Sequence, residues 1–246
     1  MMRAALLSIL MSLSLVACTP QQLQTVTDIL NGTTGGITQG EAKSGLTEAL
    51  QIGLVAATTM LSKEDGFYGN NLVKIPWPEE AEFVMNAMNT LGMHDKVENV
   101  TRSLNRAAEK ASGEALDVFV ESLRQMTFQD AIGIVKGGDG AGTEYFKRTT
   151  TVILTEKFRP IIDNSLGQVN ATNIWANAIS VYNNLPIPGK KPINTDLTAF
   201  VTEKAMDGLF LMVEKKENEI RGKVSERTSG VLQKVFGYAD QFKPSN

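Results

Sequence analysis

Asp207 is the residue whose setting first invites a chemical reading. It is the only polar side chain between Ala205 and Val213, a stretch apolar all the way round, which predicts a central, buried helix. A carboxylate in such a place must be paired, hydrogen-bonded or protonated, because an isolated buried charge costs several kcal/mol. Gly208 beside it costs about 1 kcal/mol relative to Ala in a helix, which predicts close approach by another element. Two readings follow. One is a structural tie to Arg, Lys or backbone amides; the other is a carboxylate of raised pKa at the floor of a cavity, with Glu203 and Lys204 as neighbours. The structural tie is preferred.

A second constellation is Gly137-Gly138-Asp139-Gly140-Ala141-Gly142-Thr143. Backbone amides at a helix N-terminus attract anions, so Gly138, Gly140, Gly142 and Thr143 form a candidate anion loop, with Lys147 and Arg148 one turn on. The Gly-Lys-Ser/Thr ending of a phosphate loop is missing, and a helix rather than a strand precedes it. A helix stop, a turn and a new start is the preferred reading. Arg102 and Arg106, with Glu98 and Glu109 at helical spacing, read as a solvated ion-paired face, an anion-binding face being the alternative. Glu214 to Arg221 reads likewise as a solvated charged helix end. Tyr145 neighbours Phe146, Thr150, Ile153 and Phe158, which can approach a common face, and reads as core. His94 reads as a capping-region residue rather than a general base.

Composition narrows the chemistry further. One His and one Cys in 246 residues exclude zinc sites of those ligands and disulfide frameworks. A net charge of −3 without Lys/Arg runs gives no footprint for nucleic acid, and 42% hydrophobic residues exclude a disordered chain. No nucleophile elbow or comparable signature occurs, and no cofactor is expected.

The single Cys carries more. Arg3 precedes an uncharged apolar run from Ala4 to Val16, too short for a membrane span and suited to a secretory leader. Leu15-Val16-Ala17-Cys18 resembles the lipobox of bacterial lipoproteins. The resemblance implies removal of residues 1–17 and acylation of Cys18, anchoring the chain to a membrane. Each buried methylene contributes about 0.8 kcal/mol, and two chains suffice where one is marginal. Thr19, where an Asp would favour inner-membrane retention, implies the periplasmic face of the outer membrane in a Gram-negative cell.

Positioning elements follow from periodicity. Residues 18–40 read as a flexible tether and 41–246 as one all-α domain of roughly eight or nine helices, with one short extended segment at Leu72–Ile75. Thr38 with Glu41, and Thr127 with Asp130, mark helix starts. Val97, Val100, Leu104, Ala107, Ala108 and Ala111 share one buried face, while Phe83, Ala87, Met88 and Leu91 share another face. Pro160 predicts a kink or break in a helix from about Thr143 toward Gly167. The longest helix is expected from Thr195 to about Arg221.

Ser103-Leu104-Asn105-Arg106-Ala107-Ala108-Glu109, Gly137-Gly138-Asp139 with Thr143-Glu144-Tyr145-Phe146-Lys147, Lys157-Phe158-Arg159-Pro160-Ile161 and Lys204-Ala205-Met206-Asp207-Gly208-Leu209-Phe210 occur in this order. Together they resemble the domain of unknown function 4197 family of bacterial lipoprotein-like proteins, over roughly Glu41 to Phe236. The resemblance implies a fold and no activity. The leading functional expectation is a lipid-anchored cell-envelope binding or scaffold module whose partner is an envelope protein. A carrier of a lipid or other hydrophobic small molecule is the second, and a carboxylate-based enzyme the third.

Overall fold

Helix starts are set by local capping chemistry. Thr38 Oγ1 accepts from Glu41 N at 3.2 Å while Glu41 Oε2 accepts from Thr38 N at 2.9 Å, so two backbone donors are satisfied reciprocally. Thr127 and Asp130 repeat the arrangement. Asp196 and Ser229 cap two later helices through Ala199 N and Leu232 N.

The computed structural model describes residues 33–34, 37–186, 189, 191–193 and 196–242. The predicted leader, Cys18 and most of the predicted tether lie outside the described residues. Within them the chain is all-α. Its helices are α1 (Gln39–Ser62), α2 (Glu82–Thr90), α3 (His94–Ser112), α4 (Ala115–Gln125), α5 (Phe128–Lys136), α6 (Ala141–Gln168), α7 (Ala171–Asn184), α8 (Leu197–Gly222) and α9 (Gly230–Ala239). A two-residue antiparallel ladder joins β1 (Thr33–Thr34) to β2 (Ile37–Thr38), with Thr34 opposite Ile37. Ile37 is buried against the helices, so the folded domain begins before the expected boundary at residue 41.

Four helices make the centre: α8 packs on α6 and α1, and α3 packs on α6 and α8. Helices α4, α5 and α9 close one side of this centre, while α2 and α7 close the other. Phe119 joins the layers edge-on, 5.1 Å from Phe146 and 6.1 Å from Phe210. The predicted face of α3 is buried throughout.

Several local expectations change. Helix α6, not α8, is the longest, at 28 residues, and it runs unbroken through Pro160. Glu156 and Pro160 both lie on its exposed side, so the carbonyl that loses its helical donor faces solvent rather than the core. Ile153 is exposed and Leu154 takes the buried position, which follows Thr150 by one helical turn. In α2, Phe83 and Leu91 face outward and Val84 is the buried residue. Leu72 to Ile75 forms no strand. There Asn105 stands in for a partner strand: its Oδ1 accepts from Ile75 N at 2.8 Å and its Nδ2 donates to Ile75 O at 2.9 Å.

Helix α9 is tied to the start of α1 by Lys234 Nζ, 2.6 Å from Glu41 Oε1. That bond, with those from Thr38, holds the Glu41 carboxyl at about 2, below its ordinary 4.5. A carboxyl depressed in this way stabilises the folded chain above its ordinary value, and the contribution is lost as pH falls through the folded value. The melting-temperature gap between wild type and Glu41→Gln is therefore expected at pH 7 and should close between pH 4.5 and about 2. A gap of constant size down to pH 2 would contradict the assignment.

Candidate functional site

The glycine loop is the helix stop, turn and new start preferred from the sequence, and its free amides are taken by a carboxylate of the chain itself. Glu217 of α8 enters beneath the start of α6. Its Oε1 accepts from Gly142 N at 2.8 Å, and its Oε2 accepts from Thr143 N at 2.8 Å and Thr143 Oγ1 at 2.9 Å. Gly140 permits the approach, since φ is +76° there and its amide donates to Asn218 Oδ1 at 2.9 Å. A side chain at Gly142 would meet Leu50 Cδ2 at 2.6 Å and the Glu217 carboxylate at 3.1 Å, so a larger residue there would have to displace both.

Arg221, one turn beyond Glu217, completes the arrangement. Its Nε donates to Glu217 Oε1 at 2.8 Å, its Nη2 to Ile134 O at 2.9 Å and its Nη1 to Gly137 O at 3.4 Å. A carboxylate therefore sits at the positive end of α6 and a guanidinium at the negative end of α5, both orientations the helix dipole favours. Each is only 4% exposed, which corrects the expected solvated end at Glu214 to Arg221. The signal was available: continuing the repeat Met206, Leu209, Val213 by four and then three lands on Glu217 and Ile220.

A second buried carboxylate lies at the other end of the core. Glu109 Oε1 accepts from Phe67 N at 3.0 Å and Tyr68 N at 3.1 Å, and its Oε2 accepts from Arg106 Nη1 at 2.6 Å. Arg106 also reaches Glu64 at 3.1 Å and Asp65 at 2.9 Å, and its hydrogen bond to Glu109 raises its pKa further. The expected pair is present, but Glu109 is buried rather than solvated, because it anchors the loop after α1. Phe67 of that loop lies against Gly208, where an added Cβ would meet its ring at 2.7 Å. The predicted close approach is thus made by a loop.

Asp207 itself is not buried. Its side chain is 63% exposed and pairs with Lys204 at 3.5 Å, within the same helix. Asp207 and Leu211 lie one turn apart on a stripe of α8 that the core does not cover, while Ala205, Met206, Gly208 and Leu209 face inward. Glu203, Asp207 and Lys147 come together in a surface groove of about 760 Å³ between α6 and α8. Lys147 is committed there to Glu144 at 2.6 Å. Tyr145 is buried as expected and donates its hydroxyl to Ser122 O at 2.8 Å. His94 opens α3, exposed, with Nδ1 3.1 Å from Asn89 Oδ1.

A second groove, about 750 Å³, runs between α2, α3, the end of α6 and the start of α7. Met88, Met93, Val100, Ala107, Val169, Ala171 and Ile174 form its apolar lining, and Lys96, Arg102, Arg106 and Lys110 its charged one. Just beyond it Tyr68 stacks with Lys74, 4.1 Å from the ring centre, and with Arg102 at 5.2 Å. The Tyr68 hydroxyl bonds to Glu98, which pushes the phenol up and holds the Glu98 carboxyl below its usual range. Among the described residues no cluster of three His, Cys, Asp or Glu could hold a metal ion, and no helix is long and apolar enough to cross a membrane.

These features define a helical domain whose buried charges serve its own backbone and whose free surfaces are grooves. The model of a family of proteins of unknown function, DUF4197, matches residues 36–237, and the chain belongs to that family. No curated protein and no solved structure matched it.

Glu217→Ala would strand Arg221 and three donors inside the domain, and is expected to cost roughly 3–5 kcal/mol by urea denaturation. Asp207→Ala should stay within about 0.5 kcal/mol of wild type, as for other surface sites. The reverse order would overturn the burial assigned to both.

Proposed function

We propose that this chain is a lipid-anchored binding module of the bacterial cell envelope, held by acylated Cys18 at the periplasmic face of the outer membrane. One structural observation carries the binding half. Glu217, Arg221, Glu109 and Asn105, all buried, spend their hydrogen bonds on this chain's own backbone and side chains, and the surface grooves are where another molecule can enter. Lipid attachment rests on Leu15-Val16-Ala17-Cys18, and sorting on Thr19.

Carriage of a hydrophobic molecule is favoured as the binding task by the apolar lining of the groove between α3 and α7. The carboxylate-based alternative has less to stand on. Glu203 and Asp207 do line an open groove with Lys147, but Asp207 is a solvated helix-surface partner of Lys204, of the kind worth about 0–1 kcal/mol.

Growth with an alkyne-tagged fatty acid should label the wild-type chain and leave Cys18→Ala unlabelled; label on the variant would contradict acylation at that residue. Thr19→Asp should move the protein from outer- to inner-membrane fractions, and an unchanged distribution would refute the sorting.

A further inference from the structure

The groove between α2, α3, α6 and α7 has a charge distribution that selects among hydrophobic ligands. Its lining includes four cationic side chains and no carboxylate, in a chain of net charge −3. Two of the four are already committed, Arg102 to Glu98 and Arg106 to Glu64, Asp65 and Glu109. Lys96 and Lys110 are exposed, and neither forms an ion pair among the described residues. They stand near opposite ends of α3, roughly 21 Å apart along its axis at about 1.5 Å per residue. Between them α3 contributes Asn99, Arg102, Ser103 and Arg106 above the buried Val100 and Ala107, and the facing wall carries Val169 and Ile174, with Met88 and Met93 near the Lys96 end. The result is an elongated trough with one apolar wall, one polar and cationic wall, and an unpaired ammonium near each end.

We propose that this trough binds one molecule of a single-chain anionic lipid, its acyl chain along Met93, Val169 and Ile174 and its phosphate head at Lys96 or Lys110. Volume and charge both favour this occupant. About 750 Å³ lies within the roughly 300–1,000 Å³ of small-molecule sites. Two turns of a partner helix about 10 Å wide already occupy roughly 850 Å³. An apolar chain removes the groove's exposed side chains from water, and the head supplies the counter-charge that Lys96 and Lys110 lack. The proposal deepens the envelope-module reading and rests on it, since it places a lipid site on a protein held beside lipid.

The test uses the acylated full chain in phosphatidylcholine nanodiscs. A photoactivatable lysophosphatidic acid is added, with the same acyl chain on uncharged glycerol as the comparison. Cross-linked peptides are mapped by mass spectrometry. Saturable labelling is expected between Met93 and Lys110 and from Gln168 to Ile174, competed by unlabelled lysophosphatidic acid but not by inorganic phosphate. Lys96→Glu with Lys110→Glu should reduce it at least tenfold while circular dichroism stays unchanged. Val169→Asp, at an exposed position of the lining, should reduce labelling by both probes. The chain's two tryptophans give a second readout: Trp175 follows Ile174 of the lining, and Trp77 Nε1 donates to Thr101 of α3 at 2.9 Å. Their fluorescence should shift with the anionic probe. Equal labelling by the neutral probe, competition by phosphate alone, label confined to other surfaces, or no response to the double reversal would each overturn the proposal. The Cys18 acyl mass, read from the same intact protein, tests the anchoring separately; an acylated chain with an unlabelled trough keeps the module and removes the lipid site.

Discussion

The domain depends on a helix turn that would be unstable if left to itself. Between α5 and α6 the chain passes through Gly137, Gly138 and Gly140, and the ends of two helices meet with unpaired carbonyls and unpaired amides. Glu217 and Arg221 resolve both ends from one turn of α8. The carboxylate takes the Gly142 and Thr143 amides, and the guanidinium takes the Ile134 and Gly137 carbonyls. Because the two side chains also bond each other, neither is an unpaired charge in the core. Three helices are fixed in relative position by this one pair. Arg227 extends it, donating to the Arg221 carbonyl at 2.8 Å and to Asp240 at 2.8 Å, and so ties down the chain beyond α9.

Much of the helical frame was legible because it rests on local rules. The Thr38 and Thr127 capping boxes and the three-four repeat of α3 require nothing beyond their own segments. What failed depended on tertiary placement. Asp207 looked buried because its neighbours are apolar on every side, yet hydropathy cannot say which stripe of a helix other elements leave uncovered. Glu217 looked solvated because it stands among Glu214, Lys215, Lys216 and Glu219. Periodicity was the better guide at both positions, since Glu217 continues the buried row and Asp207 shares its row with exposed Leu211. Ile153 and Phe83 failed for the same reason, their buried neighbours being Leu154 and Val84. The groove between α3 and α7 was legible from neither measure, because its lining joins two pairs of consecutive helices, α2 with α3 and α6 with α7, that stand far apart in the chain.

The stretches on which the family resemblance rests gain a physical meaning from these contacts. Asn105, Arg106 and Glu109 hold the loop after α1, Thr143 receives Glu217, Arg159 bonds to Asp196 at the start of α8, and Gly208 makes room for Phe67. Each is a tie between segments far apart in the chain. Such residues specify a fold whatever its task, which explains how a chain can be assigned to a family without any reaction coming with the assignment.

A division of labour follows from where the charge is spent. Inside, ionic groups are matched to helix ends and to each other, and a ligand that recruited Glu217 or Glu109 would first have to break several short hydrogen bonds. Outside, Lys96 and Lys110 stand exposed beside Met93, Val169 and Ile174, with no ion pair among the described residues. Binding at the second kind of place costs the fold nothing, because no internal bond has to be given up. A helical frame whose internal bonds are all spent on itself, with an unspent cationic trough outside, is therefore suited to holding an amphiphile reversibly.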